Sequence, residues 1–481
     1  MGGPFRGAEG RVLPAAAQIL GTPAPPVPSN IGRLKNPAAK QPAPAIHVCG
    51  KPHKGSLLVV ASHPHLRLRS VVRLTALLLI LALAIAPASP QDAEISASRG
   101  EELFAQIDKM VVSLGEIMGL KLLKPIERSL LTRDEINQLV QKRISEEIKP
   151  EQVRLDELFL KKFGFVEDDF NLVEQLTDVL TEQATALYDF KTRTMYMATW
   201  TPQDMQEFAL VHELAHALAD QHFNLGRFVK QANGSDEDVA RSAVLEGQAS
   251  WAMTEYVMRP AGRSMVDNRL VATAAAAASR VEARDYPVYS GAPLYIREAL
   301  LFPYTEGLLF QQAVVEKHGV EAFTLVFERP PISTQQIMHP EAYFAGRRPT
   351  KPPLPKTGRL RGFRKASEGQ VGELDHRILL KQYLGEERAD ELAPAWRGAR
   401  YELLENRAKD RAVLRYASEW ENESRAAEFF KAYVEICKQK PSSLEIESET
   451  ASEVAGKSGD GNVLIRLEGT IVSSVEGLPE P

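Results

Sequence analysis

The spacing of apolar residues changes along the chain and predicts a mixture of helices and short strands. From about Ser98 to Leu180 apolar residues recur at steps of three and four, and this period continues through 155–163 and 170–180, which predicts helices. Between Ala184 and Ala198 the pattern predicts two short strands around a polar turn at 189–193. We therefore expect an α+β, helix-rich fold that contains a small sheet.

The first 90 residues differ from the remainder. Residues 1–66 are rich in Pro, Ala, Gly and basic residues without a sustained period, which predicts a disordered leader. Residues 67–90 combine a basic start, an aliphatic run from Leu74 to Ile85 and the sequence Ala-Pro-Ala-Ser at 86–89. This layout is typical of a secretory signal peptide, with cleavage expected after Ala88. Because a signal peptide normally begins a chain, we expect translation to start downstream of residues 1–65.

Charge and cysteine content limit the classes of protein to which this chain can belong. Residues 1–90 carry a balance of +9 and the whole chain −5, which leaves −14 for residues 91–481. An acidic region without a basic stripe excludes nucleic acid as the expected partner. Once the leader containing Cys49 is removed, Cys437 is the single thiol, so no internal disulfide can form. We expect a secreted or periplasmic protein without stable membrane insertion. The alternative is an uncleaved membrane anchor at 74–88, although that apolar run is shorter than the roughly 20 residues that a membrane-spanning helix needs.

The stretch Val211–His222, with the sequence VHELAHALADQH, carries the clearest chemical signal. It contains the motif HExxH, whose i, i+4 spacing brings His212 and His216 onto one face of a helix, where two imidazoles can hold one Zn²⁺. Glu213 lies beside that face, where a carboxylate can take a proton from an activated water. The uncharged flanking residues predict that this helix is buried. Thr201-Pro202 is its predicted start. The alternative interpretation is a core helix with two structural histidines.

A catalytic zinc site normally has three protein ligands, and two residues compete for the third position. His222 follows His216 by six residues, as in the pattern HExxHxxGxxH, but Ala219 stands where that pattern has the glycine that breaks the helix. On an unbroken helix His222 lies roughly 120° around from His216 and points away from the metal. Glu246 is favoured instead, because it lies on the next predicted helix, which begins at Ser235 and ends near Arg259-Pro260, among small residues that permit close packing.

An HExxH motif followed by a glutamate on the next helix resembles the gluzincin zinc metallopeptidases, with the thermolysin-like arrangement. The segments HELAHALADQHF, LEGQAS, FPYTEG and PPISTQQIMHP are also similar to those of a family of secreted, largely uncharacterised bacterial HExxH proteins, over most of residues 100–480. The resemblance implies a zincin-like fold with His212, His216 and Glu246 as zinc ligands and Glu213 as general base. It also implies that the strand just before the active helix offers free backbone groups to a peptide substrate, although an ordinary hairpin remains the alternative.

Further site residues follow from the same resemblance. Thermolysin-like enzymes place an aspartate four residues after the ligand glutamate, where this chain has Ser250, so Asp220, Asp236 and Asp238 are left as alternative supports for the ligands. These enzymes also use a histidine and a tyrosine to bind the oxyanion. His339, in a loop-like stretch at 330–340, and Tyr304 are the candidates, each with a purely structural role as the alternative. His318 and His376 are interpreted as surface residues.

Composition predicts the remaining domain organisation. We expect a zincin-like metallopeptidase domain at 92–345, a Pro- and Arg-rich linker or long loop at 346–367, and a smaller C-terminal α+β unit at 368–481. Within the last unit, helices are predicted at 374–384 and 426–438, and strands at 400–404, 412–415 and 462–474. The expected function is hydrolysis of a peptide or protein substrate by a zinc metallopeptidase. The alternative is a non-catalytic zinc-binding or interaction protein that retains this fold.

Overall fold

The computed structural model describes residues 80–81, 95, 97–147, 149–183, 185–201 and 205–480. The predicted leader, the cleavage point after Ala88 and Pro202 lie outside the described residues. The described residues all belong to one compact unit, Leu66–Pro481. They form an α+β fold, rich in helix, with two sheets.

Five helices occupy the region in which the three- and four-residue period predicted them. They are α1 (Ala97–Phe104), α2 (Ile107–Met118), α3 (Arg133–Glu147), α4 (Pro150–Phe163) and α5 (Leu172–Gln183). The apolar positions of α2 and α4 face the core, with Leu114 and Phe159 completely buried. Since the buried residues recur at helical spacing, the prediction of helices here is confirmed.

A small sheet lies beside these helices. Its strands are β1 (Ile80–Leu81), β2 (Glu127–Leu131), β3 (Ala186–Asp189) and β4 (Thr194–Ala198), in the order β1-β3-β4-β2. The predicted hairpin is confirmed, because β3 and β4 pair antiparallel. However, β4 also pairs in parallel with β2 along its whole length. The prediction that this strand offers free backbone groups to a substrate is therefore wrong.

A second group of helices follows the sheet and contains the HExxH motif. Its members are α6 (Gln206–Phe223), α7 (Leu225–Lys230), α8 (Ser235–Met258), α9 (Arg269–Glu282), α10 (Pro287–Gly291), α11 (Leu294–His318), α12 (Ala322–Glu328), α13 (Thr334–Met338) and α14 (Pro340–Phe344). Short 3₁₀ turns at Arg259–Ala261, Ala283–Asp285 and Gly319–Glu321 separate some of them. The predicted limits of α8 are confirmed. The stretch 330–340, predicted as a loop, contains α13.

The start of the motif helix differs from the prediction. Helix α6 begins at Gln206, with Met205 at the N-cap position, rather than at Thr201-Pro202. The hydroxyl of Thr201 instead donates hydrogen bonds to the carbonyl oxygens of Thr185, at 2.7 Å, and Ala198, at 2.9 Å. Thr201 therefore stabilises the hairpin of β3 and β4 and does not cap α6.

The C-terminal sheet unit consists of β5–β11 with α15–α17. Its strands are β5 (Arg364–Gln370), β6 (Trp396–Asn406), β7 (Arg411–Trp420), β8 (Glu445–Glu449), β9 (Glu453–Ser458), β10 (Gly461–Glu468) and β11 (Ile471–Leu478), paired antiparallel in the order β5-β6-β7-β11-β10-β9-β8. Its helices are α15 (Glu373–Leu384), α16 (Glu386–Leu392) and α17 (Glu423–Gln439), with 3₁₀ turns at Ala393–Ala395 and Arg407–Lys409. The predicted helices and strands of this unit are confirmed. Strand β5 begins inside the predicted linker.

The core of this unit is aromatic and includes a histidine. His376 is 1% exposed and lies against Tyr416, Trp420 and Phe429. Its ring nitrogens lie 2.7 Å from the carbonyl oxygen of Gly372 and 2.6 Å from the hydroxyl of Tyr416. The interpretation of His376 as a surface residue is therefore wrong, because hydrogen bonds on both nitrogens permit its burial. His318, at the end of α11, is half-buried against Phe344.

Among the described residues, no helix is both long and apolar enough to cross a membrane.

Candidate metal centre

Helix α6 holds the motif in the interior of the protein. Every residue from Ala209 to Asp220 is buried, including both histidines, and the helix packs against α2, α8 and β3. A helix with an apolar surface all round is stable only when other elements cover it. The absence of charges around the motif, noted in the sequence, is thus explained by these neighbours.

Three side chains from α6 and α8 converge on one point. The Nε2 atoms of His212 and His216 lie 3.0 Å apart. Oε2 of Glu246 lies 3.2 Å from Nε2 of His212 and 3.4 Å from Nε2 of His216. The structure therefore brings the three sequence-predicted ligands together, although Glu246 is 30 positions beyond His216 in the chain.

The separations of these atoms fit a zinc ion. Tetrahedral coordination with bonds of about 2.0–2.1 Å places ligand atoms about 3.3–3.4 Å from one another. The observed separations of 3.0, 3.2 and 3.4 Å lie close to this value. A three-residue set of two imidazoles and one carboxylate also leaves one coordination position open, as catalytic zinc sites do.

Burial and mutual contact shift the pKa values of His216 and Glu246. Burial lowers the pKa of His216 to about 4, so its imidazole is neutral at physiological pH. Burial by itself raises the pKa of Glu246, but His216 and His212 outweigh burial and the net shift is downward. A neutral imidazole and an ionised carboxylate are the forms that bind a metal ion.

Glu213 lies in the same interior. Its side chain is 0% exposed, and its charge, with that of Glu246, acts on the phenol of Tyr304. Two buried carboxyl groups in one region are costly unless a positive charge or hydrogen bonds offset them. A divalent cation held by His212, His216 and Glu246 would supply that charge.

Tyr304 is placed at the centre by a close approach of two helices. Its ring lies over that of His212, with centroids 6.1 Å apart and an interplanar angle of 27°. Burial raises the pKa of Tyr304 well above its ordinary value, and Glu246 and Glu213 raise it further, so the phenol stays protonated. Tyr304 lies within α11, where the sequence FPYTEG gave no indication of a helix because Pro303 lies inside it.

Glycines on both helices permit this approach. A Cβ on Gly247 of α8 would lie 2.1 Å from the carbonyl carbon of Gly307 in α11, and a Cβ on Gly307 would lie 2.3 Å from the carbonyl oxygen of Ala243. The small residues of α8 were expected to permit close packing against α6. In the structure, Ala243 and Gly247 contact α11. Gly307 was not identified from the sequence. Because Pro303 concealed the helix in the sequence, nothing marked this glycine as a helix contact.

His222 lies away from the convergent group. Its Nε2 is 2.8 Å from the carbonyl oxygen of Lys121, and its side chain is exposed. The preference for Glu246 over His222 agrees with this geometry, since α6 continues unbroken to Phe223.

The aspartates left as alternative supports have other partners. Asp220 accepts hydrogen bonds from the hydroxyl of Tyr188, at 3.0 Å, and the backbone N–H of Leu225, at 2.9 Å. Asp236 accepts hydrogen bonds from the backbone N–H and the hydroxyl of Thr334. Asp220 therefore ties the motif helix to β3, and Asp236 ties the start of α8 to α13. Asp238 is buried in the first turn of α8.

The contacts of His339 are with acidic residues outside the convergent group. Its Nε2 lies 2.7 Å from Oε1 of Glu373, and its Nδ1 lies 3.9 Å from Oε1 of Glu341. The hydrogen bond to Glu373 raises the pKa of His339 against the effect of partial burial. The role of His339 in binding an oxyanion stays a prediction. Glu373 was not singled out in the sequence, because nothing local distinguishes a buried glutamate at a helix start.

Comparison with known proteins adds one finding for part of the chain. Residues 359–481, which contain the C-terminal sheet unit, match a family described as a domain of unknown function (DUF8575). Neither the curated proteins nor the solved structures contain a match to this chain. The match covers residues C-terminal to His212, His216 and Glu246, so it gives no information on this candidate metal centre.

Proposed function

We propose that this protein is a zinc metallopeptidase with a zincin-like catalytic region of the gluzincin type. The observation that carries the proposal is the convergence of His212, His216 and Glu246 in the interior, with atoms separated by 3.0–3.4 Å. The expected substrate is a peptide or protein. We further propose secretion or periplasmic export, supported by the signal-like sequence at 67–90.

Each residue has a distinct chemical task in this proposal. A zinc ion held by His212, His216 and Glu246 would supply a Lewis acid and lower the pKa of a bound water. Glu213, next to the first ligand and 0% exposed, accepts the proton of the attacking water and delivers it to the leaving amine. Its complete burial excludes bulk water, which would compete for that proton.

Tyr304 is proposed as the hydrogen-bond donor to the oxyanion. Its phenol is kept protonated by burial and by the charges of Glu246 and Glu213, so it can donate rather than accept. Its ring lies 6.1 Å from that of His212, centroid to centroid, which supports this role. A donor of this kind acts on charge that develops in the transition state.

Zinc content and hydrolysis, measured on the same preparations, test the proposal. We expect the purified protein to bind about one zinc per chain, as a three-ligand site implies. Glu213→Gln is expected to retain zinc and lose hydrolysis of casein or a peptide library by about 10²–10⁴-fold. Glu246→Gln is expected to lose zinc.

Glu207→Gln is the matched control for these variants. Glu207 lies on the same helix but is exposed, with the hydroxyl of Tyr256 at 3.3 Å. It should leave zinc content and hydrolysis unchanged. Zinc binding without cleavage by the wild type would contradict the peptidase and favour a non-catalytic zinc protein. Absence of zinc from the wild type would contradict both.

A further inference from the structure

Helix α13 connects the C-terminal sheet unit to the helix that carries Glu246. The backbone N–H and the hydroxyl of Thr334 donate hydrogen bonds to Oδ1 of Asp236, at 3.1 and 2.6 Å. Asp236 belongs to the first turn of α8. The hydroxyl of Thr334 also accepts a hydrogen bond from the backbone N–H of Leu374 at 3.2 Å. One side chain therefore joins α8, α13 and α15.

Glu373, the first residue of α15, is held by two side chains from the other side of this junction. Nε2 of Gln335 donates to Oε2 of Glu373 at 2.9 Å and to the carbonyl oxygen of Trp396 at 2.6 Å. Nε2 of His339 lies 2.7 Å from Oε1 of Glu373. Because the Glu373 side chain is 0% exposed, these groups replace the water that the carboxylate would otherwise bind.

Three acidic residues act on His339. Glu373 contributes from α15, Glu341 from α14 and Glu306 from α11, and Glu306 is itself paired with Arg280 at 2.6 Å. The other acidic groups of the junction are engaged elsewhere. Asp375 accepts from the backbone N–H of Gly372, at 2.6 Å, and the hydroxyl of Tyr295, at 3.1 Å, while Asp236 accepts from Thr334. A protonated His339 thus donates a charge-assisted hydrogen bond to the buried side chain of Glu373.

We propose that His339 and Glu373 form a protonation-controlled latch that holds the C-terminal sheet unit against α13 and, through Thr334 and Asp236, against the start of α8. In the latched state the imidazolium of His339 donates to Glu373 across the junction. When His339 loses its proton, the charge-assisted hydrogen bond across the junction becomes a neutral one, and the junction loosens. This inference goes beyond the proposed function and holds whether or not the metal centre hydrolyses peptides.

The direction of the pH effect follows from the contacts. The hydrogen bond to Glu373 raises the folded-state pKa of His339 above its unfolded value, against the opposing effect of burial. The stabilisation is therefore fully present below the unfolded pKa of histidine, near 6.5, and is lost as the pH rises through the folded pKa. The latch is closed in acid and released in alkali.

Hydrogen exchange of the wild-type full chain tests the latch directly. Protection factors of amides in residues 334–339 and 372–378, measured at about pH 5.5 and about pH 8.5, bracket the histidine pKa. We expect protection in both segments to fall together at the higher pH, while α2 and α17 keep theirs. Equal protection at both pH values would overturn the proposal, and this test does not depend on any variant folding.

Two substitutions separate a latch from a purely structural contact. His339→Gln retains a donor near Glu373 without the charge, and we expect its protection and unfolding temperature to lose the pH dependence of the wild type. His339→Gln combined with Glu373→Gln pairs two neutral amides and should be equally independent of pH. His222→Gln, which alters an exposed histidine bonded to a carbonyl oxygen, should keep the wild-type profile. A wild-type profile in His339→Gln would refute the latch.

Discussion

Replacing Gly247 by alanine tests whether the metal centre depends on the close approach of α8 and α11. The added Cβ would lie 2.1 Å from the carbonyl carbon of Gly307 and 2.2 Å from its oxygen. Carbon atoms in contact need about 3.5 Å, so the helices would have to separate by about 1.4 Å. Both obstructing atoms belong to the backbone, so no side-chain rotation relieves the contact.

This displacement acts on the site because Glu246 precedes Gly247 and Tyr304 lies one turn before Gly307. Overpacking of this kind costs about 1–3 kcal/mol of folding free energy. A misplacement of about 1 Å in catalytic geometry costs about 10²-fold in rate. We therefore expect Gly247→Ala to lower the free energy of unfolding by about 1–3 kcal/mol, to weaken zinc binding and to reduce hydrolysis about 100-fold.

Denaturant unfolding, and zinc titration in competition with a chromophoric chelator, measure these effects. Gly291→Ala is the control, because a Cβ there meets no atom within 4 Å. In an open position the exchange of glycine for alanine is neutral or slightly stabilising. If Gly247→Ala unfolds within about 0.5 kcal/mol of Gly291→Ala and binds zinc as tightly as the wild type, the reasoning about helix separation is refuted.

Three further predictions concern the hydroxyl of Tyr304, the metal and the C-terminal sheet unit. Tyr304→Phe keeps the ring over His212 but removes the donor, so kcat should fall about 10²–10³-fold with zinc affinity unchanged; equal losses in both would contradict the oxyanion role. Removal of zinc by a chelator should lower the unfolding temperature, because zinc at 100 times its Kd stabilises the folded state by about 2.7 kcal/mol. Calorimetry with and without zinc measures this change in unfolding temperature. Lys440→Met leaves buried Glu476 without the amine 3.0 Å away and should lower the free energy of unfolding in urea by about 3–5 kcal/mol. The control is Lys457→Met, in an exposed pair with Glu447, which should lower it by at most about 1 kcal/mol.

The parts of the site that depend on local spacing could be predicted from the sequence. His212 and His216 lie four residues apart, and the 100° rotation per residue of a helix fixes their common face without knowledge of the fold. The selection of Glu246 needed one step more. It required that the helix beginning at Ser235 return beside α6, and the small residues around Glu246 permit that close packing.

The parts that depend on distant contacts could not be predicted. Pro303 interrupts the helical pattern of α11 in the sequence, yet neighbouring elements hold the helix together through it. In the sequence, the residues around His376 are those typical of an exposed helical position. Its burial depends on a contact with Tyr416, which is forty positions away. The pairing of β4 on both edges likewise depends on β2, which precedes it by more than sixty residues. Each error concerns a contact that local periodicity does not encode.

The helix that carries Glu246 is supported near both ends, and one support lies outside the predicted peptidase domain. Near its N-terminus, α8 is fixed by Ser235, whose hydroxyl donates to the carbonyl oxygen of Gln370 at 3.0 Å, and by Asp236 with Thr334. Near its C-terminus, Glu255 accepts from the backbone N–H of Met265 at 2.6 Å. Glu246 lies between these supports on a helix of 24 residues. Because Gln370 belongs to the segment that matches the domain of unknown function, that segment contributes through Ser235 to the position of Glu246, the proposed metal ligand.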